Sequence, residues 1–301
     1  MAGAVFTAPL DVVKTRLQSD LHHQLIGKPH KGSSIIAKGY YHVAETFTMM
    51  GNVYSKEGFR SLFKGLGPNI AGVVPARSVN FFTYGLAKDL FVNEGFAKES
   101  PLVHLGSGVI AGVVTSTVTN PIWLVKTRLQ LDQQSTRTYK NSLDCTMKII
   151  KNEGIRSLYR GLSASYLGTI ETSLQWMLYE KMRIFIARAE SHRLARGHTL
   201  DRTDKFLNWC ATSGAAGAAK FCATLLTYPH EVVRTRLRQA PLKDGKPKYS
   251  GLIHCFKLIF KEEGMASFYG GLTPHLLRTV PNSIIMFGTW DLIVRLIQEW
   301  Q

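Results

Sequence analysis

The chain has 301 residues, of which 37 are Lys or Arg and 21 are Asp or Glu, so its formal net charge is +16. This excess predicts anionic partners, which could be nucleic acid, anionic lipid or anionic small molecules. The sequence has no heptads and no basic–aromatic motif, which argues against nucleic acid as a partner. It also has no nucleophile–base arrangement, P-loop or Rossmann fingerprint, so we expect no enzyme and no cofactor. Its four cysteines lack zinc-like spacing, so no metal site is expected.

Three phrases recur in the same order along the chain. The first is PLDVVKTRLQ at 9–18, PIWLVKTRLQ at 121–130 and PHEVVRTRLR at 229–238. The second is EGFRSLFKG at 57–65, EGIRSLYRG at 153–161 and EGMASFYGG at 263–271. A looser third phrase is FTYGLAK at 82–88, MLYEKMR at 177–183 and GTWDLIV at 288–294. The recurrence predicts three repeats, at 1–97, 98–196 and 197–301.

Each repeat is expected to contain three helices, which follow in chain order. In the first repeat a helix ends near Gln18, and we expect it to be incomplete because only eight residues precede Pro9. A basic loop at 21–39 is longer than its counterparts, and its role is not evident from the sequence. The remaining predicted helices are 41–56, 66–93, 101–132, 140–152, 162–189, 205–240, 249–262 and 272–298.

The uncharged stretches predict a membrane protein. Residues 105–125 contain no charge, and 21 residues are enough to span a bilayer, which needs about 20. Four shorter apolar segments are rich in Gly, Pro, Ser and Thr, which are frequent in membrane helices: 65–76, 78–87, 221–230 and 279–290. We therefore expect an all-α membrane protein with six transmembrane helices in three pseudo-threefold repeats and three short extra helices. The alternative is a soluble helical solenoid with buried glycine-rich helices.

The first phrase places an acid and a base after a proline. Proline kinks a membrane helix, and the acid and base lie three residues apart on one helix face. With three such helices around a pseudo-threefold axis, the acid of one meets the base of the next, and a ring of ion pairs closes one end of the bundle. Simple stapling of the helices is the alternative, although charges within a membrane are functional by default.

These motifs resemble the mitochondrial carrier family over essentially the whole chain. The resemblance implies a multi-pass protein of the mitochondrial inner membrane, with three short matrix helices, one central substrate site and alternating access. The ring at the prolines would be a matrix gate, in which Asp11 pairs with Lys126 and Glu231 with Lys14. The full set of implied matrix-gate residues is Asp11, Lys14, Gln18, Trp123, Lys126, Gln130, Glu231 and Arg234.

Two departures from the family pattern affect this matrix gate. Trp123 stands where the third acid is expected, so we expect Arg234 to lack a carboxylate. Arg234 would then either stack on Trp123 or remain available to an anionic substrate. Gln18 and Gln130 match the family's glutamine braces beneath the pairs, whereas Arg238 replaces the third glutamine.

The resemblance also implies a cytoplasmic gate on the even-numbered helices. Its expected pairs are Lys88 with Glu180 and Arg183 with Asp291. A third pair is missing because Gly85 replaces the acid and Val294 the base. A gate with fewer pairs should open at lower cost.

Family substrates are contacted between the two gates, and the resemblance assigns candidate residues there. The contact points would be Gly72, the Leu167–Gly168 pair and Arg278, with Arg77 as a second cavity arginine. Two arginines suit a phosphate-bearing anion, because guanidinium groups bind phosphate bidentately. The candidates for base recognition are Glu171, Gln175 and Trp176, where Trp176 either stacks on a base or packs elsewhere. Glu171 would contact an exocyclic amino group or balance charge.

Longer stretches resemble the members of this family that carry pyrimidine nucleotides. They are NPIWLVKTRLQLD, GLSASYLGTIETSLQW, YPHEVVRTRLRQAP and GLTPHLLRTVPNSIIMFGTWD. The resemblance implies an antiporter of UTP, CTP, TTP and their mono- and diphosphates, a monomer that binds membrane lipid such as cardiolipin and serves mitochondrial genome maintenance. The alternative is a carrier of NAD, FAD, folate or coenzyme A. A basic membrane-associated scaffold without transport is the competing class.

Overall fold

The computed structural model describes residues 2–19, 35–97, 100–132, 138–195, 202–241 and 247–300. Within these ranges all regular secondary structure is helical, with ten α-helices and three short 3-10 helices. The α-helices are α1 Ala2–Leu17, α2 Ile35–Glu57, α3 Leu66–Asn93, α4 Pro101–Leu131, α5 Ser142–Glu153, α6 Leu162–Ala195, α7 Arg202–Thr227, α8 Pro229–Arg238, α9 Leu252–Glu262 and α10 Leu272–Trp300. The all-α prediction is confirmed for the described residues.

The prolines of the first phrase do not act alike. Pro9 and Pro121 lie inside α1 and α4, whereas α7 ends immediately before Tyr228 and α8 begins at Pro229. The single helix predicted at 205–240 is therefore wrong. Tyr228 keeps a helical backbone, with φ −52° and ψ −35°. Proline cannot donate a helical hydrogen bond, but this loss leaves α1 and α4 continuous and interrupts the helix only at Pro229 among the three described copies.

The short helix of the first repeat begins earlier than predicted. α2 starts at Ile35 instead of residue 41, so the end of the predicted loop at 21–39 is helical. Residues 20–34, which form the rest of that loop, lie outside the described residues.

The second phrase forms the same local structure three times. A 3-10 helix occupies Phe59–Phe63, Ile155–Tyr159 and Met265–Tyr269. Each is preceded by a glycine with φ near +80° and followed by another with positive φ, the second set being Gly65 (+79°), Gly161 (+76°) and Gly271 (+72°). L-residues with a Cβ rarely adopt this conformation, so the glycines explain why α3, α6 and α10 can begin where they do.

Each of these second glycines packs against the next copy of the first phrase. A Cβ on Gly65 would lie 3.1 Å from the Lys126 carbonyl oxygen, and a Cβ on Gly161 would lie 3.2 Å from that of Arg234. A Cβ on Gly271 would lie 2.8 Å from the carbonyl oxygen of Lys14. We number the copies of each phrase 1, 2 and 3 in chain order. The second phrase of copy 1 thus contacts the first phrase of copy 2, that of copy 2 contacts copy 3, and that of copy 3 contacts copy 1.

The described chain divides into two compact units. The first comprises residues 1–169 and 228–275, and the second comprises 170–227 and 276–301. The first unit has apolar clusters under the short helices, one around Leu124, Cys145 and Ile149 and an equivalent one around Val233, Cys255 and Ile259. The second unit has a smaller cluster of Tyr179, Ala216, Ala219 and Phe287.

Polar and apolar side chains are distributed unlike those of a water-soluble protein. Large apolar residues are widely exposed, including Phe81, Phe82 and Phe185 at 69–75%. Charged residues such as Arg128 and Arg236 are at most 2% exposed. Large exposed apolar surfaces indicate contact with a membrane or a protein partner. Within the described ranges, Leu102–Leu131 meets the length and composition expected of a membrane span.

Candidate functional site

Two ion pairs connect the three copies of the first phrase. Lys126 Nζ lies 3.2 Å from Asp11 Oδ2, and Lys14 Nζ lies 2.9 Å from Glu231 Oε2. All four side chains are at most 15% exposed. The two predicted pairings are therefore present, and they join copy 1 to copy 2 and copy 3 to copy 1. Their action as a gate remains a prediction.

Arg234 has a carboxylate partner, contrary to the expectation from sequence. Its guanidinium group lies 2.6 Å from Glu231 Oε1 and donates to Oε2 at 2.7 Å. The two residues are one helical turn apart on α8, so the missing acid of copy 2 is replaced by a partner within copy 3. Glu231 consequently neutralises two cations, Arg234 and Lys14.

Trp123 packs at the first predicted contact point. Its indole N–H donates to Thr119 Oγ1 at 2.9 Å, and the cation over its ring is Lys126, 5.5 Å from the centroid, rather than Arg234. A Cβ on Gly72 would lie 2.9 Å from a methyl group of Ile122 and 3.4 Å from the indole ring. The absence of a side chain at Gly72 therefore permits the close approach of α4 and α3 at this point.

The residues implied as braces form buried hydrogen bonds between copies. Gln130 Oε1 accepts a hydrogen bond from Thr15 at 2.8 Å, and Gln18 donates to the Tyr228 hydroxyl at 2.9 Å. Arg238, which replaces the third glutamine, donates to Asn120 Oδ1 at 2.8 Å and to Ser165 Oγ at 2.9 Å. A hydrogen-bonding side chain thus occupies this position in every copy.

Three buried arginine–glutamate pairs were not anticipated from the sequence. In each copy the arginine seven residues after the proline binds the glutamate of the second phrase through both ends of its guanidinium group. The Nη2–Oε2 distances are 2.9 Å for Arg16–Glu57, 2.8 Å for Arg128–Glu153 and 2.7 Å for Arg236–Glu263. The constant spacing from the proline was the signal that could have revealed them.

The same arginines also bind the following copy. Arg16 Nε donates to the carbonyl oxygen of Gln130, Arg128 Nε to that of Arg238, and Arg236 Nε to that of Gln18, at 2.6–3.2 Å. Each guanidinium group therefore joins its own short helix to the next copy. Burial disfavours ionisation of Glu57, but its pairs with Arg16 and Lys64 hold the pKa of this carboxyl below its ordinary value.

In the second unit, Glu171 lies in a buried polar cluster that the sequence did not reveal. Its Oε1 accepts hydrogen bonds from Lys220 Nζ at 2.6 Å and from Thr224 Oγ1 at 3.0 Å. Lys220 and Thr224 are one turn apart on α7, so they present both donors to one carboxylate oxygen. The interruption of an apolar stretch by a single lysine was the signal for this cluster.

Trp176 packs against other aromatic side chains within the second unit. Its ring centroid lies 5.2 Å from that of Phe287 and 6.2 Å from that of Tyr179, both in edge-on arrangements. Its side chain is 53% exposed, so part of the indole ring is also available for another contact. Stacking on a base therefore stays a prediction.

The other predicted substrate residues differ in burial. Arg77 is exposed, whereas Leu167 and Gly168 in the first unit and Gln175 and Arg278 in the second are half-buried. A Cβ on Gly168 would lie 3.5 Å from His230 Nε2, which is ordinary contact. Because these residues divide between the two units, their assembly into one site remains a prediction.

The predicted cytoplasmic gate also remains a prediction. Lys88 lies half-buried in the first unit, and Glu180 and Arg183 are exposed in the second. The side chain of Asp291, the expected partner of Arg183, lies outside those that the structure describes.

Comparison with known proteins agrees with the motifs and geometry. The family model described as mitochondrial carrier protein matches residues 1–95, 97–190 and 205–300. The mitochondrial pyrimidine nucleotide transporter RIM2 of Saccharomyces cerevisiae is 54% identical, over 99% of this chain and 83% of its own length. The mitochondrial carrier protein rim2 of Schizosaccharomyces pombe is 51% identical, over 99% and 87%. Solute carrier family 25 member 33 of Homo sapiens is 40% identical, over 99% and 92%. The chain belongs to the mitochondrial carrier protein family.

Proposed function

We propose that this chain exchanges pyrimidine ribo- and deoxyribonucleotides across the mitochondrial inner membrane by alternating access. As a mitochondrial carrier it is a multi-pass protein of that membrane. The observation that carries the substrate assignment is the 54% identity to a mitochondrial pyrimidine nucleotide transporter over 99% of the chain. The arrangement we propose is six transmembrane helices in three pseudo-threefold repeats, at 1–97, 98–196 and 197–301.

The matrix gate would be the ring of buried pairs at the ends of α1, α4 and α8. Asp11–Lys126 and Lys14–Glu231 join different copies, so the copies cannot move apart without breaking them. Breaking a buried ion pair is costly, and the cost must be offset by interactions that the substrate makes in the changed state. Arg234 adds no third link between copies because its partner is on its own helix.

Arg278 and Arg77 would bind the phosphate groups of the substrate, and Gly72, Leu167 and Gly168 would complete the contact points. Guanidinium groups hold phosphate oxygens bidentately, which suits nucleotides that carry one to three phosphates. The base would lie toward Glu171, Gln175 and Trp176, and the indole ring would supply a stacking surface. We further propose that the carrier acts as a monomer and binds cardiolipin through its positive surface charge.

Exchange by the purified chain in liposomes tests the proposal. Liposomes are loaded with UTP or TTP, and uptake of labelled pyrimidine nucleotide is followed in the presence of ATP, NAD or FAD outside. We expect rapid uptake that requires internal nucleotide and that the three competitors do not block. Liposomes without internal nucleotide are the control, because they separate exchange from leakage.

Two outcomes would contradict parts of this proposal. Uptake that occurs only with NAD, FAD, folate or coenzyme A inside would retain the carrier but replace its substrate. Binding of nucleotide with no uptake under any loading would support the scaffold instead of a transporter.

A further inference from the structure

An ion pair buried between α6 and α7 in the second unit is the starting point. Lys220 Nζ lies 2.6 Å from Glu171 Oε1, and the side chains are 17% and 8% exposed. The lysine is therefore the more accessible partner. The carboxylate oxygen is also the acceptor of the Thr224 hydroxyl at 3.0 Å.

On its own helix Lys220 lies among small and apolar residues. It is the one charged residue between Phe206 and Tyr228 in the sequence, and it follows the run of small residues SGAAGAA at 213–219. Ala216, Ala219 and Ala223 on the same helix are at most 1% exposed. An ionisable residue in such a membrane helix is costly to bury, and such residues usually serve a substrate or ion.

The arrangement permits the ammonium group to change partners. Removing one member of a buried pair normally leaves an uncompensated charge. Here Glu171 keeps the hydrogen bond from Thr224 when Lys220 leaves, so part of its stabilisation is retained. A phosphate group is a suitable replacement partner for the lysine, because an ammonium group binds phosphate as a compact point charge.

We propose that Lys220 is a phosphate-binding residue of the nucleotide site. Before substrate binds, its ammonium group is paired with Glu171, and a substrate phosphate then replaces the carboxylate as its partner. This inference rests on the proposed function and adds a cation from α7 to the candidate Arg278 of the same unit. It also changes the role of Glu171. The carboxylate competes with the substrate for Lys220 instead of contacting the base.

Ligand-induced thermal stabilisation of the purified protein tests this directly. Inorganic tripolyphosphate and UTP are the probes, because tripolyphosphate carries the phosphate charge without a base. A ligand that binds the folded state raises the melting temperature according to its dissociation constant. We expect Lys220→Gln to weaken binding of both probes about tenfold, since a hydrogen bond to a charged group is lost.

Conservative variants separate phosphate binding from a structural staple. Lys220→Arg should retain most of the affinity, and Glu171→Gln should tighten tripolyphosphate binding because the competing charge is removed while an oxygen acceptor remains. The double variant Glu171→Gln/Lys220→Gln leaves no unpaired buried charge, so it keeps the test available if the single variants fold poorly. It should bind tripolyphosphate as weakly as Lys220→Gln. Lys257→Gln, on the exposed face of α9, is the matched control and should behave as wild type.

Several results would overturn the inference. One is the absence of stabilisation of the wild-type protein by tripolyphosphate. Another is wild-type affinity for tripolyphosphate in Lys220→Gln or in the double variant, which would show that the pair only links α6 and α7. If the wild type exchanged UTP and the Lys220 variants exchanged it equally well, the inference would be rejected and the proposed function retained. If Lys220→Gln lost tripolyphosphate binding while the wild type exchanged no pyrimidine nucleotide, the phosphate-binding role of Lys220 would be retained and the proposed function rejected.

Discussion

A single buried arginine holds three segments together in each copy of the first phrase. Arg128 binds Glu153 through both ends of its guanidinium group and donates a further hydrogen bond to the Arg238 carbonyl oxygen at 3.2 Å. Its side chain is fully buried. Lysine has the same charge but lacks the planar fork, so it cannot satisfy these partners together.

We therefore expect Arg128→Lys to lower the free energy of unfolding by about 2–4 kcal/mol, because buried acceptors are left unsatisfied. Thermal or denaturant unfolding of the detergent-solubilised protein measures this. Lys148→Gln is the control, since it removes an exposed pair with Asp144 on α5 and should leave unfolding unchanged. Equal losses in the free energy of unfolding would show that the buried pair stabilises the protein no more than the exposed pair does.

The buried thiols under the short helices should resist alkylation. Burial raises the pKa of Cys255, and likewise of Cys145, to about 12. The thiolate is the reactive form, so at pH 8 almost none is present at either site. We expect both residues to be labelled by a maleimide only as the protein unfolds, and peptide mass spectrometry at increasing temperature measures this. Labelling of Cys255 in the folded protein would contradict the packing described for α9.

The charges of the first phrase show what could and could not be predicted at the level of residues. Asp11–Lys126 and Lys14–Glu231 follow from two simple facts, the spacing of acid and base on one helix face and the order of the copies. The partner of Arg234 could not be predicted in the same way, because the choice between a carboxylate on its own helix and one on the next helix depends on distances that a sequence does not contain. Lys220 and Glu171 are 49 residues apart, so their contact depends on how α6 and α7 are aligned.

At the level of elements, the start of α3, α6 and α10 depends on a glycine in two separate ways. Gly271 has φ +72°, and a Cβ there would also lie 2.8 Å from the Lys14 carbonyl oxygen. Gly58 has φ +80° but nothing within 4 Å of a Cβ. A side chain at Gly58 would therefore cost backbone strain alone, whereas one at Gly271 would add a steric overlap between copies.

We expect Gly58→Ala to destabilise the protein by about 1–3 kcal/mol, because φ +80° with ψ 167° lies in a backbone region that essentially only glycine adopts. Gly271→Ala should cost about 1–3 kcal/mol more, because overpacking against a backbone atom forces the helices to shift. Gly67→Ala, inside α3 and with open space around it, should be neutral or stabilising. Melting temperatures of the three variants test this order, and equal losses at Gly58 and Gly271 would contradict the described contact.

The helices themselves were largely predictable, and the exceptions have physical causes. Apolar runs and glycine boundaries gave the starts of α3, α6 and α10 at Leu66, Leu162 and Leu272. The interruption at Tyr228 was not predictable, because the proline at the same place in copies 1 and 2 lies within a continuous helix. Whether proline interrupts a helix or is accommodated depends on neighbouring groups that can bind the freed carbonyl.

At the scale of the whole molecule, the first phrase connects the copies through the Asp11–Lys126 pair. We expect Asp11→Lys and Lys126→Asp each to impair exchange strongly, because each places like charges about 3 Å apart in a buried site. The double exchange of charges should recover part of the activity, with a coupling energy of about 1 kcal/mol or more. Recovery should be incomplete because Lys126 also donates to Asn69 and lies over Trp123.

Nucleotide exchange rates of the four proteins in liposomes measure this coupling. A double variant no more active than the weaker single variant would show that the pairing itself is unimportant for transport. Equal protein insertion into the liposomes must be verified, since misfolded variants would give the same low rate.

Two sets of contacts between copies run in one direction, from copy 1 to 2, from 2 to 3 and from 3 back to 1. Gly65, Gly161 and Gly271 each pack on the helix of the following copy, and Arg16, Arg128 and Arg236 each donate to its backbone. Such an interface is heterologous, and it forms a closed ring because the rotation returns to the start after three steps. One copy therefore has two complementary faces, and a homotrimer of separate single-copy chains could form these same contacts without any covalent connection between them.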